Sequence, residues 1–314
     1  MNEKKNTLNC PVCGSAETSK FQEYKNTSEV FSGLYLSYCN NCSMVYASPM
    51  PNDDLLEKYN AAYFLSAHGG QPADIMSLSF FKAIAKVRLA YIIKYLQLHD
   101  ITVSSILEIG PGPGFFAEAF IEHFPGIEYL AMESDISCYA SLQKLGVKIL
   151  DAKSLDSRIQ GSIDLVIMSH ILEHVSDPKA FLNYVTAKLA PGGALFIEVP
   201  CTDYLHKSLI EPHLLFFDKD SMNYLLKELL FTEIQLSYHG EKIEDLKRRS
   251  FGKKLYRQLR YRLIAMGFVK PFARREAGME LITNPLEKAV IVPYMAHKES
   301  KIPAWWLRSI ARKK

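Results

Sequence analysis

Long hydrophobic runs are missing from this 314-residue chain: no uninterrupted apolar stretch approaches the ~18 residues that a membrane-crossing helix needs. Glycine (16) and proline (15) are too sparse for a collagen-like or disordered chain, and internal repeats and low-complexity tracts are absent. No apolar segment follows the polar, lysine-bearing start Met1–Asn9, so no export signal is expected and the thiols are expected to meet a reducing cytoplasm. Disulfides are therefore not expected, and the six cysteines point to metal binding or to simple burial. What the chain does have is 48% apolar residues, enough for a sizeable core. Its length holds roughly two domains at ~150 residues each.

Acid is missing from one place. Residues 247–275 hold eleven lysines and arginines and no carboxylate, which leaves 26 basic against 34 acidic groups on the rest of a chain whose formal charge is +3. A single cationic element on a mildly acidic body is unlike a surface coated for nucleic acid. Within it Phe251, Leu255, Leu259, Leu263 and Met266 fall on one helical stripe, with Lys254, Arg257, Arg260 and Arg262 on other faces. Such a helix can lie on an anionic membrane, grip phosphate groups of a substrate, or pack its stripe on the domain.

Four regions separate by pattern. Residues 1–50 carry four cysteines, and 51–100 read helical, with Asn52 or Asp53 capping a first helix to about Tyr63 and a second over Ala83–Leu98. Residues 101–298 alternate apolar runs with helical segments, the mark of a parallel sheet with crossover helices. Seven strands are expected, in the stretches 106–109, 129–132, 147–150, 164–168, 194–199, 231–238 and 289–294, with the basic segment as an insertion over 241–286. Residues 299–314, including Trp305-Trp306, read as a carboxyl-terminal extension.

The first strand runs into Glu108-Ile109-Gly110-Pro111-Gly112-Pro113-Gly114 and then a helix. Glycines let backbone pass close beneath a ligand, and a helix start offers free N–H groups, so a nucleotide-like ligand fits here. The spacing is not G-x-G-x-x-G, which argues against a dinucleotide; a tight turn without ligand is the plain alternative. Glu133 and Asp151 end the next two strands. Carboxylates at the tips of adjacent parallel strands face one crevice, where they can accept bonds from ribose hydroxyls and an adenine amino group.

Together with Asp164–Val175 and Leu189–Ile197, these residues resemble the successive motifs of class I S-adenosylmethionine-dependent methyltransferases. The resemblance covers about residues 104–240. It implies an α/β, Rossmann-like seven-stranded fold, with the last hairpin contributing one antiparallel strand. It also implies S-adenosyl-L-methionine as cofactor, with Glu108 near its methionine moiety, Glu133 on the ribose, Asp151 and Ala152 at the adenine, and Ser169 beside the ligand. Leu230 departs from the family's usual glycine before Phe231.

A sulfonium donor needs an aligned acceptor and a route for its proton. His170 follows the fourth strand and His213 lies in Glu211-Pro212-His213 after the fifth, so both are candidate general bases; packing and backbone contact are the alternatives. His174 reads as part of a helical turn bonded to backbone. The His170-x3-His174 pair has zinc-ligand spacing, but no third ligand is evident nearby.

Cys10-Pro11-Val12-Cys13 and Cys39-Asn40-Asn41-Cys42 are two C-x2-C knuckles, which make a closed tetrahedral thiolate site for structural Zn2+. Cys138 and Cys201 fit neither knuckle and are expected to be small buried residues. The knuckles, followed by Tyr46–Pro49 and Leu56–Phe64, resemble the small amino-terminal zinc ribbon of a subfamily that includes bacterial deoxysugar C-methyltransferases. That resemblance implies a ribbon over the substrate pocket and Tyr59 or Tyr63 on a helix lidding the cofactor. The reading is methyl transfer to a small molecule, a sugar or glycoconjugate of surface polysaccharide biosynthesis, in the cytoplasm or at the inner membrane face. An RNA methyltransferase and a non-catalytic scaffold are the alternatives; the first lacks the Asn/Asp-Pro-Pro-aromatic motif for base amino groups, and nucleic acid is not the expected partner.

Overall fold

Apolar runs bounded by turn residues become strands where neighbours on both sides can bury them, and that principle organises the computed structural model. It describes residues 9–24, 31–51, 56, 74–150, 160–207, 213–248, 251–270 and 277–314. The helix expected from Asn52 or Asp53 to Tyr63 lies outside the described residues, apart from Leu56, which is helical and buried.

Three short antiparallel strands, β1 (Thr18–Glu23), β2 (Tyr35–Cys39) and β3 (Val45–Ser48), carry the two knuckles. Helix α1 (Ile75–Leu98) begins earlier than its periodicity suggested, because the Asp74 carboxylate accepts the backbone N–H groups of Met76 and Ser77. Then β4 (Ser105–Ile109), α2 (Phe115–His123), β5 (Glu128–Met132), α3 (Tyr139–Lys144) and β6 (Lys148–Ile149) build one half of the parallel sheet. The other half is β7 (Ile163–Ser169), α4 (Pro178–Thr186) and β8 (Leu189–Pro200). After β8 come β9 (Leu215–Phe216), α5 (Lys219–Glu228), β10 (Thr232–Lys242), α6 (Ile243–Lys247), α7 (Phe251–Ala265), α8 (Pro285–Ile291), β11 (Glu299–Ser300) and β12 (Ala304–Arg312).

The main sheet has eight strands among the described residues, in the order β11-β10-β12-β8-β7-β4-β5-β6, and not seven. Two expectations are corrected. Ala289–Tyr294 is not a strand but the end of α8 and a 3-10 turn, because Asn284 caps the helix and Pro285 starts it. The stretch read as an extension supplies β12, which runs antiparallel between β8 and β10 and places Trp306 opposite Pro200. Cys138 and Cys201 are buried, free thiols, as anticipated.

Within the basic insertion most of the apolar stripe stays in solvent at the side chains described, Leu263 alone among them being half-buried. Leu255 and Leu259 are 55% and 53% exposed and Met266 60%. The face that docks instead carries Ile264 and Tyr261, whose hydroxyl donates to the Val290 carbonyl.

Helix α5 ends in a Schellman motif: Phe231 N–H bonds the Leu226 carbonyl, Leu230 N–H bonds that of Lys227, and Leu230 sits at φ 62°. Glycine ordinarily takes that position because a Cβ is crowded there. Leu230 is exposed and loses no packing on replacement. Leu230→Gly is therefore expected to stabilise the chain by about 0.5–1 kcal/mol, the strain relieved exceeding the entropy that glycine adds to the unfolded state. A urea midpoint that falls would contradict this.

Candidate functional site

Reversal of strand order about β4 opens a crevice at the carboxyl ends of β4, β5 and β7. The turn after β4 fills its floor, with φ of 67°, 56° and 90° at Gly110, Gly112 and Gly114. A Cβ on Gly110 would come within 2.2 Å of the Ile171 side chain, whereas one on Gly112 meets nothing within 4 Å. Glycine at 110 thus lets the next loop close down, and Gly112 leaves its face open. The Gly114 backbone caps α2 in the left-handed conformation.

Glu133 reaches back to this turn. Its two carboxylate oxygens accept the N–H groups of Gly112 and Asp135, each at 2.8 Å, so the acid is fixed beside the glycines with lone pairs to spare. Glu108 behaves differently: it is buried, and Oε2 accepts the Tyr129 hydroxyl at 2.5 Å. Burial raises its pKa to about 7, against the opposing pull of Tyr129 and Arg88. Ser169 ends β7 one step past the Ile109–Met168 pair, and its hydroxyl is buried without a hydrogen-bond partner. Such an orphan at a strand tip suits a ligand that supplies the missing bond. Asp151, Ala152, Tyr59 and Tyr63 lie outside the described residues.

The histidines converge on the next strand tips. His170, at φ 59°, donates its backbone N–H to the Glu198 carbonyl, and its ring stands 3.2 Å from Glu173 and 3.5 Å from Glu198. Burial disfavours its charged form, but the two carboxylates prevail and raise its pKa. Glu198 is fully buried between Arg88 of α1 at 2.5 Å and Arg308 of β12 at 2.6 Å. This network holds the sheet's inserted strand, the first helix and the His170 loop to one carboxylate.

His213 is buried, and its Nδ1 lies 2.8 Å from Oδ2 of buried Asp203. Desolvation works against its charge, and Asp203 outweighs it, so this pKa too is raised. The ring packs edge-on against His174 at 4.9 Å. His174 belongs to the 3-10 turn Leu172–His174, the helical turn expected there. Glu173, Asp203, Glu198, Arg88 and Arg308 were not marked in the sequence; their partners lie far along the chain, and only the position of Glu173 between two histidines hinted at a role.

Backbone bonds fasten this cluster to the cysteine module. Leu214 N–H donates to the Glu173 carbonyl at 2.7 Å, Ala47 N–H to the Leu214 carbonyl, and the Tyr24 hydroxyl to the His213 carbonyl. Strand β9, two residues beyond His213, completes the small sheet as β1-β2-β3-β9. The four knuckle sulfurs lie within 4.8 Å of one another, Cys10 and Cys42 at 3.5 Å and Cys13 and Cys39 at 3.4 Å. That donor set fits a tetrahedral ion.

Residues 81–236 match a family model described as a methyltransferase domain. An uncharacterized methyltransferase of Mycobacterium sp. (strain JLS) is 33% identical over 92 residues, 28% of this chain and 36% of the relative. The ubiquinone biosynthesis O-methyltransferase of Xanthomonas euvesicatoria pv. vesicatoria (strain 85-10) is 29% identical over 121 residues, 37% of this chain and 49% of the relative. The chain thus spans about half, or less, of the length of these relatives. Among solved structures, the 1,6-didemethyltoxoflavin-N1-methyltransferase of Burkholderia thailandensis, bound to 1,6-didemethyltoxoflavin and S-adenosylhomocysteine, aligns with a TM-score of 0.49 at 16% identity, covering 88% of this chain and 98% of that one.

The buried Glu108 carboxyl makes stability depend on pH. Because its folded pKa lies above the ordinary glutamate value of about 4.5, the folded state holds the proton more tightly. The contribution is complete below about 4.5 and is lost as pH rises through about 7, a change of roughly 3 kcal/mol. Glu108→Gln, which keeps an acceptor for Tyr129, is expected to remove most of that slope. Urea unfolding of both proteins at several pH values between 5 and 8 checks it; equal slopes would contradict the assignment.

Proposed function

We propose that this chain, which carries a methyltransferase domain over residues 81–236, transfers the methyl group of S-adenosylmethionine to a small-molecule acceptor held over the His170–Glu173–His174–His213 cluster. One observation carries the reading. The open glycine turn, Glu133 laced to Gly112 and the orphan Ser169 hydroxyl share the strand tips from which the histidine cluster also rises.

The cofactor supplies an electrophilic methyl group when bound. The chain's part is to align and to manage a proton. Gly110, Gly112 and Gly114 lie under the adenosyl portion, and Glu133 accepts from the ribose hydroxyls. Ser169 closes the ligand's side toward β7, and Glu108, held by the Tyr129 hydroxyl, is assigned to the methionine end from its motif position. We assign Asp151 and Ala152 to the adenine and Tyr63 to the lid, from their motif positions. His213, oriented by Asp203, is the residue assigned to acceptor activation; His170, held between two carboxylates, serves orientation and charge balance.

The finer identity of the acceptor, a sugar or glycoconjugate of surface polysaccharide biosynthesis, is supported by the resemblance of the knuckles and residues 46–64 to the ribbon of deoxysugar C-methyltransferases. Zinc in the four cysteines would serve structure, since a closed thiolate site leaves no coordination position for chemistry. By fixing β1 to β3 it also fixes β9, and with it His213.

Two outcomes follow. His213→Ala is expected to lower kcat at least tenfold while calorimetry finds S-adenosylmethionine affinity within a few-fold of wild type; undiminished turnover would remove His213 from acceptor activation. Cys39→Ser is expected to lose one zinc per chain by elemental analysis and to lower thermal stability. A chain that never contained the metal would refute the zinc assignment.

A further inference from the structure

The spacing of His170 and His174 suggested a metal pair without a third ligand, and the structure supplies a different trio. Glu173, His174 and His213 each offer one ligand atom, all within 4.8 Å of one another. Glu173 Oε1 lies 4.0 Å from His174 Nε2, and the two imidazoles meet edge to face.

Three features distinguish this trio from a chance meeting of polar groups. Glu173 is 1% exposed, and neither of its carboxylate oxygens has a hydrogen-bond partner; His170 Nδ1 at 3.2 Å is near but out of line. A buried carboxylate with neither oxygen hydrogen-bonded is costly unless cationic groups meet it, and the ring nearest to it, that of His170, is shared with Glu198. Asp203, also buried, lies 2.8 Å from His213 Nδ1, and a proton held between them would make Nε2 the ring's ligand atom. A carboxylate behind a histidine is how metal-bound imidazoles are commonly oriented. Finally, the backbone of each side is rigidly tied, since Leu214 N–H donates to the Glu173 carbonyl itself.

We propose that Glu173, His174 and His213 form a two-histidine, one-carboxylate site for a divalent transition cation of the zinc or manganese class, distinct from the cysteine site. Two imidazoles disfavour magnesium and calcium, which prefer all-oxygen shells. Three protein ligands leave positions open, in contrast to the closed thiolate site. His174 and His170 keep part of their surface in solvent, which gives the ion and an acceptor a side to enter.

The site rests on the methyl-transfer reading for its use. A cation there would bind the acceptor's hydroxyl oxygen and lower its pKa. The O–H bond breaks with the proton passing to water. The oxygen pair then forms the O–CH3 bond as the C–S bond of the sulfonium breaks, and that electron pair stays on sulfur, leaving a neutral thioether. His213 thus activates the acceptor through the ion it holds.

Manganese separates the two sites, because it favours nitrogen and oxygen donors over four thiolates. The 314-residue chain, washed with a chelator too mild to strip zinc from four thiolates, is titrated with Mn2+ and the EPR signal of the free ion is followed. One equivalent is expected to be taken up by wild type. Uptake should weaken at least tenfold in Glu173→Gln and in His174→Asn, and Asp203→Asn should weaken it by about 10- to 100-fold through loss of ligand orientation. A wild-type chain that leaves the Mn2+ signal undiminished overturns the site, whatever the variants do. Uptake unchanged in both ligand variants overturns it too, with S-adenosylmethionine binding measured in parallel to show that they fold. Mn2+ uptake in a chain that binds no S-adenosylmethionine would support the site while refuting the methyl-transfer reading.

Discussion

A short relay of backbone hydrogen bonds sets the geometry of everything at the crevice. Glu173 sits on the turn after β7, and its carbonyl receives the N–H of Leu214; the Leu214 carbonyl in turn receives the N–H of Ala47 in the cysteine-bearing sheet. The residue between cluster and ribbon is therefore clamped from both sides. Because β9 is only two residues long, it has no independent stability and exists by pairing with β3. The small module is therefore part of the site's scaffold: its pairing with β9 and its backbone bonds set where His213 stands. Fixing a side chain by main-chain bonds costs less adaptability than fixing it by packing, and suits a group that must hold its position against a ligand.

The second constraint is electrostatic. Glu198 and Arg308 are both fully buried, and Arg88 joins them from α1. Such a group of charges is expensive to desolvate, and its members stabilise only as a set, so breaking one contact strands the others. The cost falls beside His170, whose ring faces the same carboxylate. The arrangement couples the inserted strand β12 to the loop that carries the histidine cluster. Charge buried at a strand tip next to a crevice is a usual sign that the site is organised for chemistry and not for stability alone.

Much of this was legible in the residues. Strands β4, β5, β7 and β8 are apolar runs ended by glycine, acid, serine or proline, and the glycine turn and two cysteine pairs declare themselves by spacing. The carboxyl-terminal third was not. The run Ala289–Tyr294 is apolar enough for a strand, yet Asn284 and Pro285 start a helix, and short apolar runs do not reveal their period. The true last strand hid behind Arg308 and Arg312, because an arginine reads as surface until its buried partner Glu198 is known, 110 residues earlier. Asp203 behind His213 and Glu173 beside it were likewise products of tertiary contact. Leu230 stands where the resembled family usually has glycine, and the backbone there is left-handed, the conformation in which glycine is ordinarily favoured.

The central claim is that the crevice over the glycine turn receives an adenosyl sulfonium in line with the histidine cluster. A crystal structure of the chain with S-adenosylhomocysteine tests it most directly. The account predicts the adenosine lying along Gly110–Gly114, both ribose hydroxyls on the Glu133 carboxylate, a polar contact to the Ser169 hydroxyl, and the sulfur facing His213. Density for the ligand elsewhere, or a crevice in which Glu133 holds only Gly112 and Asp135 while the compound stays in solution, would contradict it.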